Sequence, residues 1–107
     1  MKRIDCIKRD NLLVDFLLEH KGSENAVNRY KIAEYLTDNG YTQKAGTIHL
    51  IIAKLIKERH LPICSVNSKG YFWAKSKADI LGCIEEMQGR ITALQEHIEH
   101  LNHFVME

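Results

Sequence analysis

Histidines and one cysteine are the residues of this sequence that could bind a metal ion. His97, His100 and His103 recur at intervals of three near the C-terminus. Neighbouring rings at this spacing could share an ion. However, each ring is rotated by about 60° from the one before it around a helix of 3.6 residues per turn, so the three rings diverge, and a solvated helix face is the simpler interpretation. His60 and Cys64 are another candidate pair, but two ligands cannot complete a tetrahedral zinc site. We therefore expect no metal and no other cofactor.

The three cysteines and the lack of a long apolar run bear on the cellular compartment. Cys6, Cys64 and Cys83 are odd in number and contain no CxxC pair, which favours reduced thiols over a disulfide framework. The sequence has no run of about 18 apolar residues, and its start lacks the apolar core of a signal peptide. We expect a cytoplasmic protein without a membrane partner.

Motifs for catalysis are missing from the sequence. It contains no glycine-rich phosphate loop, no HExxH and no GxSxG. No pair of acidic residues stands out as a general acid and base. We expect that the chain is not an enzyme.

Charge is divided unevenly along the chain, although the formal net charge is only +1. Residues 1–77 contain 14 lysines and arginines against 8 acidic residues, whereas residues 78–107 contain 1 against 6. Such a basic segment can attract phosphate groups, and it can equally be an ordinary solvated surface. The division is compatible with nucleic-acid binding by the first part of the chain.

Apolar residues at helical spacing predict three helices in the first 60 residues. The first spans 10–20. The second is capped by Asn28 and ends at Asn39-Gly40, and the third runs from a cap at Thr42 to about Arg59. The core residues predicted by these patterns are Leu12, Leu13, Phe16, Leu17, Ile32, Ala33, Leu36, Ile48, Ile51, Ile52 and Leu55.

A β-hairpin and a long helix are predicted to follow. Segments 61–66 and 71–74 are rich in β-branched and aromatic residues, and the polar residues 67–70 between them predict the turn. Pro62 places its strand at the edge or the start of the sheet because proline lacks a backbone N–H. Ser76 and Asp79 form a capping-box pattern that predicts the start of the long helix. The fold class is therefore mainly α with a small β-hairpin.

Residues 30–74 combine this order of elements with a specific local sequence. Its matching parts are Ile32-Ala33-Glu34-Tyr35-Leu36, then Ile48, Ile52 and Leu55, then Leu61-Pro62-Ile63 and Gly70-Tyr71. The segment resembles the winged helix-turn-helix of the biotin-operon-repressor-like class, with His60 standing where that class usually has a glycine. The whole chain also resembles small winged-helix proteins of bacteriophages and prophages of Gram-positive bacteria.

This resemblance implies a surface for double-stranded DNA. In winged helix-turn-helix proteins the third helix enters the major groove, and the hairpin, or wing, lies near phosphates or the minor groove. By analogy, the DNA-binding residues are Asn28, Arg29, Gln43, Lys44, Thr47, Lys54, Lys57 and Lys69. The third helix has no arginine before Arg59, and arginine is the usual partner of guanine, so we expect modest sequence specificity.

An uninterrupted heptad repeat occupies the C-terminal segment. The apolar residues of the repeat, spaced alternately by four and three, are Ile80, Ile84, Met87, Ile91, Leu94, Ile98, Leu101 and Val105. β-branched residues at a and Met or Leu at d favour a parallel two-stranded coiled coil. The e and g positions do not oppose acids to bases, which leaves an antiparallel pair or a four-helix assembly open. The alternative is that the stripe folds back as a core helix of its own domain.

Together these patterns predict two functional parts, a winged helix-turn-helix domain over 1–75 and a dimerisation helix over 76–107. The expected function is that of a homodimeric regulator, encoded by a phage or prophage, that binds an operator or a replication site. The alternative is a protein-interaction module on the same scaffold, which would bind a replisome component or inhibit a host defence nuclease.

Overall fold

The computed structural model describes residues 3–66 and 69–106. Its α-helices span Arg3–Leu18 (α1), Arg29–Asp38 (α2), Ile48–Arg59 (α3) and Lys77–Met106 (α4). Short 3₁₀ helices span Ser23–Asn25 and Ala45–Thr47, and the antiparallel strands span Ile63–Val66 (β1) and Gly70–Trp73 (β2). The predicted fold class, mainly α with a small hairpin and a long C-terminal helix, is confirmed.

An apolar core joins the first three helices to the hairpin. Its fully buried large side chains are Leu13, Leu17, Ile32, Leu36, Ile48 and Leu55. Each helix supplies two of them from one face, as the predicted stripes require, and burial of such a side chain is worth about 2 kcal/mol. Leu12 and Phe16 are only half-buried and pack against the edge of the core.

Helix α1 begins seven residues earlier than its apolar pattern predicts. The apolar residues of its first turns, Ile4 and Ile7, are exposed. These turns therefore have no apolar stripe facing the core from which a helix could be predicted. Asp10 is buried, and its carboxylate accepts hydrogen bonds from Nε and Nη2 of Arg9 at 3.1 and 3.0 Å. This charge-assisted contact compensates a buried carboxylate within the helix.

Helix α2 begins and ends as its sequence predicts. The Asn28 side chain accepts a hydrogen bond from the backbone N–H of Lys31 at 3.0 Å, which satisfies one of the amides at the start of the helix. After Asn39, Gly40 has a φ of +91°, the left-handed conformation that commonly stops a helix.

Helix α3 starts later than predicted, so the cap assigned to Thr42 is wrong. The 3₁₀ helix Ala45–Thr47 comes first, and the Thr47 hydroxyl donates to the carbonyl oxygen of Lys44 at 2.8 Å. This local bond competes with regular helix formation. At the other end, His60 has a φ of +53°, so a residue other than glycine takes the left-handed position that closes the helix.

Strand β2 lies between β1 and the segment that links α1 to α2. Val27 and Tyr71 exchange two backbone hydrogen bonds of 2.8 Å. Further along, Trp73 donates to the carbonyl oxygen of His20 at 2.8 Å, and its own carbonyl oxygen accepts from Gly22 at 2.9 Å. These bonds fix the hairpin beside the start of α2.

The hairpin follows the predicted boundaries closely. Pro62 directly precedes β1, as expected for a residue without a backbone N–H. Of the predicted turn 67–70, residues 67 and 68 lie outside the described residues, and Gly70 opens β2. Phe72 is 3% exposed and lies on the face of β2 opposite Tyr71 and Trp73, the two residues of the strand that pack against the core.

One half of the capping box predicted at the start of α4 is present, and the other half is displaced by one residue. Ser76 Oγ accepts a hydrogen bond from the backbone N–H of Asp79 at 3.3 Å, and Asp79 Oδ2 accepts one from the N–H of Lys75 at 3.0 Å. The first bond is that of a capping box, whereas the second satisfies the amide of the residue before the cap rather than the amide of the cap itself.

No described residue of α4 is buried, which contradicts the alternative that the helix folds back as a core element. Its half-buried residues, Asp79, Cys83 and Glu86, lie in its first ten positions, next to β1. All eight residues of the heptad stripe are between 39% and 83% exposed. At 30 residues α4 is about 45 Å long, and none of the described helices is long and apolar enough to cross a membrane.

Candidate nucleic-acid interface

The exposed side of α3 carries two of the predicted DNA-binding lysines. Lys54 and Lys57 are both exposed, and within the described ranges neither forms an ion pair. Leu50 stands four residues before Lys54 on the same side and is 62% exposed. This side of the helix therefore offers two positive charges outside any ion pair beside an uncovered apolar side chain, with the exposed Glu58 one turn after Lys54.

The connection from α2 to α3 holds three more of the predicted residues. The Thr47 hydroxyl lies 3.3 Å from Gln43 Oε1 as well as 2.8 Å from the Lys44 carbonyl oxygen. Gln43 and Thr47 are half-buried, whereas the Lys44 side chain is exposed. Gln43 and Thr47 thus order the approach to α3, and Lys44 is the member of this group that extends into solvent.

A groove of about 410 Å³ lies between the start of α2, the hairpin and α4. We call it the cationic groove and define it by Asn28, Arg29, Ser65, Lys69, Tyr71 and Arg90. Three predicted residues, Asn28, Arg29 and Lys69, are thereby brought together, although they are up to 41 positions apart in the sequence. No aspartate or glutamate of the described segments lines the groove.

Arg29 is held in place by the residue that follows it. Its guanidinium donates a hydrogen bond to the Tyr30 hydroxyl at 3.2 Å and lies 5.1 Å from the centre of the Tyr30 ring. The hydrogen bond raises the pKa of Arg29 and lowers the pKa of Tyr30. Burial raises the pKa of the Tyr71 hydroxyl on the other wall of the groove.

Arg90 is the charged residue of this groove that the sequence did not predict as part of a binding surface. The heptad repeat places it at position g, beside the apolar stripe, where a role between paired helices is the usual interpretation. It is also the single lysine or arginine in residues 78–107, where six residues are acidic. This isolated positive charge was the feature of the sequence that could have indicated a separate role for Arg90. Its nearest acidic partner is Glu86, with Nη2 and Oε1 separated by 3.7 Å.

The structure therefore distributes the predicted residues over two surfaces. Lys54 and Lys57 lie on α3, and Gln43, Lys44 and Thr47 lie at its approach. The other three line the cationic groove.

The histidines of α4 do not form a closed metal site. The rings of His100 and His103 have their centres 6.5 Å apart, and His100 also packs edge-on to Phe104. Within residues 3–66 and 69–106, no three His, Cys, Asp or Glu side chains are grouped so that they could hold a metal ion.

No protein-family model matches this chain. Comparisons with curated proteins and with solved structures give no significant match either.

Proposed function

We propose that the chain is a homodimeric DNA-binding regulator of the winged-helix type that occupies an operator or a replication site. The observation that carries this proposal is the exposed side of α3, where Lys54 and Lys57 have no acidic partner among the described residues. The resemblance to phage and prophage proteins supports a regulator encoded by such an element.

The mechanism is occupancy of duplex DNA by α3. The major groove of B-DNA is about 12 Å wide and admits one α-helix. With α3 in that groove, Lys44, Lys54 and Lys57 contact flanking phosphates, while Lys69 on the hairpin reaches the adjoining backbone. Phosphate contacts release counterions, so the logarithm of the affinity falls by about 0.9 per contact for each tenfold rise in salt.

Dimerisation through α4 joins two such domains. The heptad stripe exposes eight large apolar side chains, and pairing with a second copy would remove them from water. Two α3 helices related by a two-fold axis would then read an inverted repeat, with half-sites spaced by whole turns of the duplex.

The test is fluorescence anisotropy with a random 20-bp duplex across a salt series, with light scattering on the same samples. We expect salt-sensitive binding by a dimer. The double variant Lys44→Gln/Lys54→Gln should lose binding, while Lys8→Gln/Lys77→Gln, which removes the same charge from exposed positions outside both surfaces, should keep most of it. Failure of the wild-type protein to bind duplex at low salt would overturn the proposal.

A second candidate function, a protein-interaction module, is supported by Leu50. A leucine that is 62% exposed in the first turn of α3, on the same side as Lys54, is an unusual companion for phosphate-binding lysines and suits an apolar contact with a protein. The candidate partners are a replisome component or a host defence nuclease. Leu50→Ala would weaken such a complex, and Lys44→Gln/Lys54→Gln would leave it intact.

A further inference from the structure

Three separate elements each contribute one positive charge to the cationic groove. Arg29 comes from the first turn of α2, Lys69 from the hairpin and Arg90 from α4. The positive end of the α2 dipole points to the same place, because Asn28 caps that helix at the groove wall. A concave surface with this much positive charge and no acidic lining residue in the described segments favours an anion of more than one charge.

The polar lining matches a phosphate group in particular. Arginine offers paired N–H donors in a fork that fits phosphate oxygens, and two arginines face this groove. Ser65 and Asn28 add neutral polar groups at its walls. With about 410 Å³, the groove has room for a phosphate together with part of the molecule that would carry it.

We infer that the cationic groove is a phosphate-binding site completed by Arg90 of the C-terminal helix. The inference rests on the proposed function where the phosphate belongs to the backbone of duplex DNA. The same chemistry would serve a free phosphorylated compound, and the experiment below separates the two sources. In either case α4 carries a ligand-binding residue in addition to its apolar stripe.

Glu86 supplies a way to separate a phosphate contact from a structural role of Arg90. The two side chains form a long ion pair at 3.7 Å, and both are partly exposed, so the pair adds little to stability. A bound phosphate would compete with Glu86 for Arg90. Removal of the Glu86 charge therefore strengthens phosphate binding, whereas removal of the Arg90 charge weakens it.

The experiment measures binding of the full-length chain to the random 20-bp duplex by anisotropy and to pyrophosphate by calorimetry. Arg90→Gln should bind several-fold more weakly, and with duplex the slope of log affinity against log salt should fall by about one. Lys77→Gln, on the same helix but outside the groove, is the control for charge. Arg29→Gln repeats the test at a position outside α4, in case Arg90→Gln alters the assembly seen by light scattering.

A double-mutant cycle gives the sharper result. Glu86→Gln should bind more tightly than Glu85→Gln, which removes an equal charge from the neighbouring exposed position. That gain should vanish when Arg90→Gln is also present, because the two side chains act through one contact. If the ion pair had only a structural role, Glu86→Gln and Arg90→Gln would each lower the affinity, and Glu86→Gln would give no gain for the second substitution to remove.

The outcomes distinguish this inference from the proposed function. If duplex binding depends on Lys44 and Lys54 but Arg90→Gln behaves like Lys77→Gln, the inference is overturned and the DNA function stands. If pyrophosphate binds with the expected dependence on Arg90 and duplex does not bind, the site stands as one for a phosphorylated compound and the DNA function is overturned. If neither probe binds the wild-type protein, both are overturned.

Discussion

Gly70 lies directly against the backbone of Val27. A Cβ atom at position 70 would be 2.2 Å from the Val27 carbonyl oxygen and 2.7 Å from the Cα of Asn28, closer than real Cβ atoms come. Gly70 also has a φ of +108°, which side-chain-bearing residues rarely adopt. This close approach lets β2 pair with the segment before α2, and it thereby brings the hairpin to one wall of the cationic groove.

Replacement of Gly70 by alanine should destabilise the fold by about 2 kcal/mol or more, because the backbone conformation is strained and the added Cβ meets rigid backbone atoms. Urea unfolding followed by circular dichroism measures the change. Gly46→Ala is the matched control, since a Cβ there meets nothing within 4 Å and its effect should stay within about 0.5 kcal/mol. Equal stability of the two variants would show that the hairpin can shift away from Val27 at little cost.

The helices of the core were predictable because their apolar residues repeat at a helical period. Leu13 and Leu17, or Ile48 and Leu55, lie on one face only if the chain is helical there, and the structure buries them. The first turns of α1 were missed because Ile4 and its neighbours face solvent, so periodicity carried no information about them. The wrong cap at Thr42 has a similar cause, since hydroxyl residues bond local backbone in several ways and sequence does not choose among them.

The candidate site was predictable only in part. Lys54 and Lys57 could be placed on the outer side of α3 because neither falls on its stripe of buried residues. The approach of Lys69 to Arg29 depends on pairing between β2 and Val27, which is a long-range contact without a local signal. Arg90 reaches the groove only because α4 leaves the hairpin in one particular direction, and the heptad pattern does not encode that direction.

Cys64 should be the least reactive cysteine of the folded protein. It is 5% exposed, and burial, together with the adjoining Cys83 thiol, raises the pKa of Cys64 from 9.0 to about 12. At pH 8 the Cys64 thiol is therefore protonated, and the thiolate is the form that reacts. We expect iodoacetamide to modify Cys64 more slowly than the half-buried Cys6, as measured by peptide mass spectrometry, and to modify both at similar rates in urea.

The sign of this pKa shift also sets a direction for stability. The folded protein holds the Cys64 proton more tightly than the unfolded chain, so this contribution is complete below pH 9 and is lost as the pH rises toward 12. Cys64→Ala should therefore show a smaller loss of stability over that pH range than the wild-type protein. Rapid alkylation of Cys64 at pH 8 in the folded protein would contradict the raised pKa of this thiol.

Gly89→Ala should stabilise α4 by about 1 kcal/mol, because glycine lowers helix propensity and a Cβ at this position meets no atom within 4 Å. Position 89 is f in the heptad, away from the apolar stripe, so the change leaves the proposed pairing surface unaltered. Thermal unfolding measures the effect. The reverse substitution at an exposed site of the same helix, Ala93→Gly, should lower the unfolding temperature by a comparable amount, and a stabilising Ala93→Gly would contradict the propensity argument.

Charges within the heptad stripe should separate the proposed dimer. Ile91 and Leu94 are 65% and 61% exposed in the single chain, so Ile91→Asp and Leu94→Asp do not disturb its core. In a paired helix each would bury a carboxylate without a partner, which costs several kcal/mol. We expect the double variant to sediment as a monomer while circular dichroism shows that the first three helices and the hairpin stay folded. Ala93→Asp places one such charge between these positions but at heptad position c, outside the stripe, and should remain a dimer. A double variant that still sediments as a dimer would place the contact between copies on another surface.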